Sequence, residues 1–233
     1  MDKVRTVIWD LDGTVWFYKD DEPKILCNKF NITKVEEFTK QYYSALGNMF
    51  SHFKGKIVTY GGVVKYIQEQ IPILKEFNVS VEFFLQTLVT EKKNITTVNP
   101  EAVEMTKYCY QIGLRNISIT DWFKKDQEVA LNDFNVMEYM DKIYGCDNVY
   151  FKNSPEKIPQ VIEELKLEGK KEEFVMIGDS LTSDIFFAKA LGIKSVWYNP
   201  KGKENTTDII PDLEVQSLLE LKNVFWFLEK YQL

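Results

Sequence analysis

The sequence predicts an α/β fold, a doubly wound parallel sheet carrying an inserted all-helical domain. Three observations predict it. Apolar runs at Val7-Ile8-Trp9, Phe174-Val175-Met176-Ile177 and Ser195-Val196-Trp197-Tyr198, with the alternating Ile117-Ser118-Ile119-Thr120, read as buried strands. Helical stretches alternate with them from residue 98 onward, the rhythm of βαβ units. Between residues 15 and 97 that rhythm stops, and an aromatic-rich helical texture replaces it. The expected division is a core of residues 1–14 and 98–233 with a helical cap at 15–97.

Length and composition narrow the function. The chain has 233 residues, enough for one large domain or a domain with a smaller insert. A formal net charge of −6 argues against a general nucleic-acid binder, which presents a basic face. No apolar run approaches the ~20 residues of a membrane helix, so no membrane partner is expected. The first strand begins almost at residue 1, leaving no room there for a signal peptide. Cys27, Cys109 and Cys146 are odd in number and far apart. They suit neither a zinc site nor a disulfide framework, and a reducing cytoplasm is the expected compartment.

Taken in order, the first strand ends at Asp10-Leu11-Asp12-Gly13-Thr14. Residues i and i+2 of a strand face the same way, so Asp10 and Asp12 are expected on one side of its carboxyl end. Open α/β sheets bind ligands there. Gly13 permits a sharp turn away. In the insert, Thr33-Lys34-Val35-Glu36 has the form of a capping box opening a helix to Met49 or Phe53. Gly61-Gly62 is expected to break the next stretch. Val63, Val64, Ile67 and Ile71 mark a helix that Pro72 interrupts, and Val81 to Val89 is a further short helix.

Asn99-Pro100-Glu101 restores the βα rhythm with an N-cap and a proline at the first helical position. That helix is expected to end near Gly113, before the strand that runs to Thr120-Asp121. Helices around residues 128–132 and 136–140 lead to an expected strand at Val149-Tyr150-Phe151, then Lys152. Ile158, Val161, Ile162 and Leu165 mark one helix face. The strand at 174–177 runs into Gly178-Asp179-Ser180-Leu181-Thr182-Ser183-Asp184. A helix to Leu191 with a Gly192 stop, the strand at 195–198, a strand at Leu213-Glu214-Val215 and a helix over 217–231 complete the chain.

In a parallel sheet every carboxyl end lies on one edge, so Asp10, Asp12, Thr120, Lys152, Asp179 and Asp184 are expected to converge. Two carboxylates as close as Asp10 and Asp12 stay together only with a cation nearby or with one of them protonated. Phosphoryl transfer uses both conditions, since it needs an in-line nucleophile, charge neutralisation and a proton for the leaving oxygen. Asp10 is placed as nucleophile. Asp12 would protonate the leaving oxygen and then activate water. Thr120 would donate to a phosphoryl oxygen, and Lys152 would neutralise the phosphate. Asp10, Asp179 and Asp184 are hard oxygen ligands suited to Mg²⁺. The amides of Leu11, Asp12 and Asp121 would cradle the phosphate. Trp16, in Trp16-Phe17-Tyr18 directly after the turn, is a candidate substrate-stacking wall, and packing for the insert is an equal reading. His52, the one histidine, lies in the insert, and nothing supports a His-based hydrolase.

The ordered set Asp-Leu-Asp-Gly-Thr, a strand-end hydroxyl, a lysine and Gly-Asp-Ser-x-x-x-Asp resembles the haloacid dehalogenase superfamily. The match spans 4–14 and about 98–211, and an insert straight after the first motif is similar to members with a helical cap. The resemblance implies a Rossmann-like core, an aspartyl-phosphate intermediate and the Asp12 main-chain carbonyl as a further Mg²⁺ ligand. It departs from the pattern at Lys152-Asn153-Ser154-Pro155, where the family has Lys-Pro, and at Asp121, where Asn is common. Dehalogenases lack the acid at Asp12, so its presence implies the phosphatase or phosphomutase branch. Trp197-Tyr198-Asn199-Pro200 resembles a subgroup that includes bacterial nucleoside 5′-monophosphate phosphatases. The expected activity is Mg²⁺-dependent hydrolysis of a small phosphorylated metabolite, a nucleoside monophosphate or sugar phosphate. The alternatives are a phosphomutase of the β-phosphoglucomutase type and a non-catalytic interaction protein on the same fold.

Overall fold

The computed structural model describes residues 4–224. The described strands, in chain order, are β1 (Thr6–Trp9), β2 (Trp16–Tyr18), β3 (Thr96–Val98), β4 (Arg115–Ile119), β5 (Lys142–Tyr144), β6 (Phe174–Gly178), β7 (Lys194–Tyr198) and β8 (Leu213–Val215). Six of them form one parallel sheet in the order β5-β4-β1-β6-β7-β8, the α/β architecture expected from the sequence. The apolar runs of β1 and β6 alternate between two cores. Val7, Trp9, Val175 and Ile177 pack on one face with Met105 and Cys109 of α7 (Pro100–Gln111). Ile8 and Met176 pack on the other with Val161 of α9 (Lys157–Leu165) and Phe187 and Leu191 of α10 (Phe186–Leu191). A helix layer on each face explains why these strands are apolar throughout.

The segment between β2 and β3 holds six helices: α1 (Glu22–Phe30), α2 (Val35–Phe53), α3 (Tyr60–Gln70), α4 (Ile73–Glu76), α5 (Val81–Thr90) and α6 (Lys92–Ile95). They enclose their own core around Phe38, Tyr42, Phe53, Tyr66 and Phe84. Phe123 and Phe151 join that core from outside the segment, and Phe53 meets Phe151 edge-on at 5.9 Å. The segment is not purely helical. Its first and last residues pair as an antiparallel ribbon, Trp16 to Val98 and Tyr18 to Thr96. Alternation over three residues is too short a signal to separate from helix.

Other departures have local causes. Thr33 forms no capping box, because the helix starts at Val35 with Lys34 in the cap position and no side-chain cap bond. Gly61-Gly62 does not break a helix but forms the first turn of α3. Thr59 caps it by accepting from the Gly62 amide, and a Cβ on Gly62 would stand 3.0 Å from that hydroxyl oxygen. The edge strand beside β4 is Lys142–Tyr144 and not Val149-Tyr150-Phe151. Asn148 adopts a left-handed conformation (φ 58°), which turns the chain, and Val149 makes only a single bridge, to Val58 of the insert. The final helix expected over 217–231 is a 3₁₀ turn at Leu218–Asn223, and residues 225–231 lie outside the described residues. Among the described residues no helix is long and apolar enough to cross a membrane.

Candidate active site

β1 delivers Asp10 to the carboxyl edge of the sheet, and the turn after it is closed by the Leu11 carbonyl, which accepts from the amides of Thr14, Val15 and Trp16. Gly13 holds φ at 98°, and a Cβ there would lie 2.6 Å from an Asp179 carboxylate oxygen. Gly178, at the end of β6, is as crowded, its Cβ position 2.3 Å from the Asp184 carboxylate. Two glycines thus let three carboxylates approach one another, as close backbone approach requires. Asp10, Asp179 and Asp184 each offer an oxygen within 4.8 Å of the others.

Lys152 is buried between two of them. Its Nζ lies 2.5 Å from Asp10 Oδ1 and 2.6 Å from Asp184 Oδ1. The loop carrying it is pinned by its own amide, which donates to Asp121 Oδ1 at 2.8 Å, while Asp121 Oδ2 accepts from Ser183. Lys152 therefore reaches the site from a loop, without the strand expected before it. Burial disfavours its ammonium, but Asp10 and Asp184 outweigh burial and hold it charged. Burial and the Asp184 carboxylate keep Asp10 well above the usual carboxylate range, against the pull of Lys152. The same two causes push Asp179 up to about 7. One ammonium among three carboxylates leaves an excess of negative charge in a site of low polarity. Three hard oxygens so placed fit a divalent cation such as Mg²⁺.

Asp12 stands in a different environment. Its Oδ1 accepts from Trp16 Nε1 (2.7 Å), Lys92 Nζ (2.8 Å) and the Tyr18 hydroxyl (3.0 Å), and its Oδ2 accepts from Gln127 Nε2 (2.7 Å). Burial works to raise this carboxyl, but the Lys92 ammonium and the bonds from Trp16 and Gln127 outweigh it and hold it at about 2. Lys92 is itself buried, 4.8 Å from the centre of the Trp16 ring and 4.6 Å from that of Tyr18. Gln127 also donates to the Thr120 hydroxyl at 3.1 Å, tying the end of β4 to the same network.

These groups open onto one cavity of about 610 Å³. Asp10, Asp12, Thr120, Asp121, Lys152, Asp179 and Asp184 all line it, and so do Tyr42, Phe50 and Leu88 from the helical segment and Trp122 from the core. The sheet edge thus brings the sequence-predicted polar residues together. Trp16 differs from its expected role. It is fully buried, lies outside the cavity lining and serves Asp12 through its indole N–H. Leu11 is likewise wholly buried. Tyr18, from the aromatic trio after the turn, lines the cavity, and Lys92 and Gln127 are the members that sequence reasoning missed.

A family model described as haloacid dehalogenase-like hydrolase matches residues 4–192. The chain is 22% identical over 232 residues to the HAD-hydrolase YfnB of Bacillus subtilis (strain 168), covering 96% of each protein. A 51-residue stretch is 49% identical to the pyrimidine 5′-nucleotidase PynA of Streptococcus pneumoniae (strain ATCC BAA-255 / R6), covering 22% of each. Among solved structures, magnesium-bound YfnB superposes with a TM-score of 0.74 at 23% identity, over 95% of this chain and 98% of that one. A HAD phosphatase from Thermococcus onnurineus gives 0.65 at 22% identity over 95% and 97%. The L-2-haloacid dehalogenase of Xanthobacter autotrophicus gives 0.69 at 13% identity over 94% and 97%. Both kinds of chemistry therefore occur on this fold. With a family model matched over most of its length, the chain belongs to the haloacid dehalogenase-like hydrolases.

Proposed function

We propose that the protein is a Mg²⁺-dependent phosphomonoesterase acting on a small phosphorylated metabolite. The observation that carries this reading is Asp12. A dehalogenase releases halide and needs no proton donor. Here a second carboxylate is held beside Asp10 by four donors. Asp10 would attack phosphorus, forming an aspartyl-phosphate as the ester oxygen leaves. Asp12 would give that oxygen its proton and then take one from the attacking water. Lys152 and Thr120 would balance charge on the phosphoryl oxygens, and the amides of Leu11, Asp12 and Asp121 would complete the cradle. Asp10, Asp179, Asp184 and the Asp12 carbonyl would hold Mg²⁺, which neutralises the phosphate as it approaches the carboxylates. Magnesium in the YfnB structure supports that ion here.

For the substrate we favour a nucleoside monophosphate. The nucleotidase stretch in PynA supports it, as do Phe50 and Trp122 on the cavity wall, which offer planar surfaces to a base. Helices over residues 15–97 would form a cap that excludes water, and three buried free cysteines suit a reducing compartment. The test is a screen of phosphorylated metabolites with released phosphate as readout, with Mg²⁺ and after exhaustive chelation. Release that needs Mg²⁺ is the expected result. Full activity after chelation would overturn the metal assignment, and transfer of phosphate to product in place of release would favour a mutase.

A further inference from the structure

Two tyrosines line the cavity beside Asp12, and the protons of both hydroxyls are engaged. Tyr18 donates to Asp12 Oδ1 and accepts from Lys92 Nζ at 2.8 Å. Tyr42, on α2, donates to Glu22 Oε1 at 2.5 Å. Glu22 opens α1, is only 2% exposed and lies outside the cavity lining, behind Tyr42. The Tyr42 ring is fixed in place. It stacks on Phe38 at 5.5 Å with 9° between planes, and it meets Phe84 edge-on.

An ionised carboxylate only accepts hydrogen bonds, and a phenol has one proton to give. With that proton given to Glu22, Tyr42 presents lone pairs alone to whatever enters the cavity. Glu22 has no place in the Asp10, Asp179 and Asp184 cluster. Burying a carboxylate is costly unless it is bonded, and the Tyr42 hydroxyl is the bond it makes. Its position in the first turn of α1 favours the ionised form. Burial pushes its carboxyl up to about 7, with the Tyr42 bond and Lys92 pulling the other way.

We infer that Glu22 is a positioning residue for specificity. By holding the Tyr42 proton it makes this end of the cavity accept a hydrogen-bond donor, a hydroxyl or amino group, on the leaving group of the phosphate ester. This rests on the phosphomonoesterase reading and adds a chemical requirement to it. An ester that offers only an acceptor there meets lone pair with lone pair, and one that offers neither leaves the Tyr42 oxygen unpaired.

The experiment uses matched esters at pH 8 with Mg²⁺. Glycerol 3-phosphate is set against propyl phosphate, ribose 5-phosphate against its 2,3-dideoxy analogue, and thymidine 5′-monophosphate against its 3′-amino and 3′-fluoro analogues. 4-Nitrophenyl phosphate reports the chemistry itself. In at least one set, kcat/KM is expected to favour the donor-bearing ester by ~10- to 100-fold, mainly through KM, with the amino analogue grouped with the hydroxyl. Glu22→Leu removes the acceptor and frees the Tyr42 proton, so the discrimination should fall at least fivefold. Tyr42→Phe should remove it. Circular dichroism confirms that each variant is folded. Hydrolysis of 4-nitrophenyl phosphate with no discrimination in any set would overturn the inference alone. So would full discrimination in folded Glu22→Leu. Absence of phosphate release from every ester, 4-nitrophenyl phosphate included, would overturn the phosphatase reading and this inference with it.

Discussion

Asp10 and Asp12 are two residues apart and live in opposite electrostatic worlds. Asp10 shares its surroundings with the Asp179 and Asp184 carboxylates and one lysine, and its carboxyl is held high. Asp12 is surrounded by donors, one of them a lysine of its own, and is held at about 2. The first half of the site is short of positive charge, while the second is balanced without help. That imbalance supports placing the proposed divalent cation with Asp10, Asp179 and Asp184. On the proposed reading the proton traffic falls to Asp12, whose donors come from β2, α6 and α8 (Lys124–Asp133). In the resting protein Asp12 is a carboxylate, the form that takes a proton from water. The proton it gives in the first step has to arrive with the substrate, whose phosphate adds negative charge beside it.

The largest break in this comparison is Asp10→Asn. An amide of the same size cannot form an acyl-phosphate, and turnover should fall by at least ~10⁴-fold. Removing one of three crowded carboxylates should at the same time raise the melting temperature of the metal-free protein. Steady-state assay and thermal unfolding of one preparation check both halves. Residual turnover with wild-type kinetics would remove Asp10 as nucleophile.

Asp12→Asn should cost less, ~10²–10⁴-fold, and selectively. 4-Nitrophenolate leaves as an anion and scarcely needs the acid. Stopped-flow should show a burst near one equivalent per enzyme and then slow hydrolysis of the intermediate. An alkyl phosphate should show no burst, because its first step is also crippled. Burst-free wild-type turnover of both esters would merge the two halves of the site into one.

The smallest effect sharpens the second half. Glu22 has a folded-state pKa of about 7 against an ordinary value of 4.5. The native state thus binds more protons than the unfolded chain between those values. Its contribution to stability is full below pH ~4.5 and is lost as pH rises through 7. Glu22→Gln removes that dependence. It should stabilise the protein at pH 8 by at most about 3 kcal/mol and change little at pH 4. Urea titrations at the two pH values would measure this. Equal effects at both would show that burial does not penalise the Glu22 carboxylate.

Much of this site was legible in the sequence because its residues sit at strand ends. Asp10, Thr120 and Asp179 follow apolar runs, and the parallel rule alone brings them to one edge. Asp184 follows from its spacing to Asp179. Lys152 was identified although the strand expected before it is absent, since the loop that carries it is pinned by Asp121, which no local pattern announces. The partners of Asp12 were not legible. Lys92 stands in Glu91-Lys92-Lys93, which reads as a solvated charge run, and it reaches Asp12 across 80 residues of chain. Gln127 has no spacing that marks it. Glu22, in Asp20-Asp21-Glu22-Pro23, looks like the ordinary acidic start of a helix. For Trp16 substrate stacking and packing were equal readings, and it is buried in a core with its indole N–H turned to Asp12.

The ribbon of β2 and β3 has a mechanical meaning. Both crossings between the sheet and the six helices run through it, so a rotation of those helices turns about a single axle. Tyr18 is on one strand of that axle and Lys92 lies just before the other, whereas Gln127 is anchored in the core. Three of the four donors to Asp12, Trp16, Tyr18 and Lys92, thus lie on or beside the ribbon, and the fourth lies on α8. The charge balance at one carboxylate is thereby set by groups from both ends of the axle, the helical side and the sheet side.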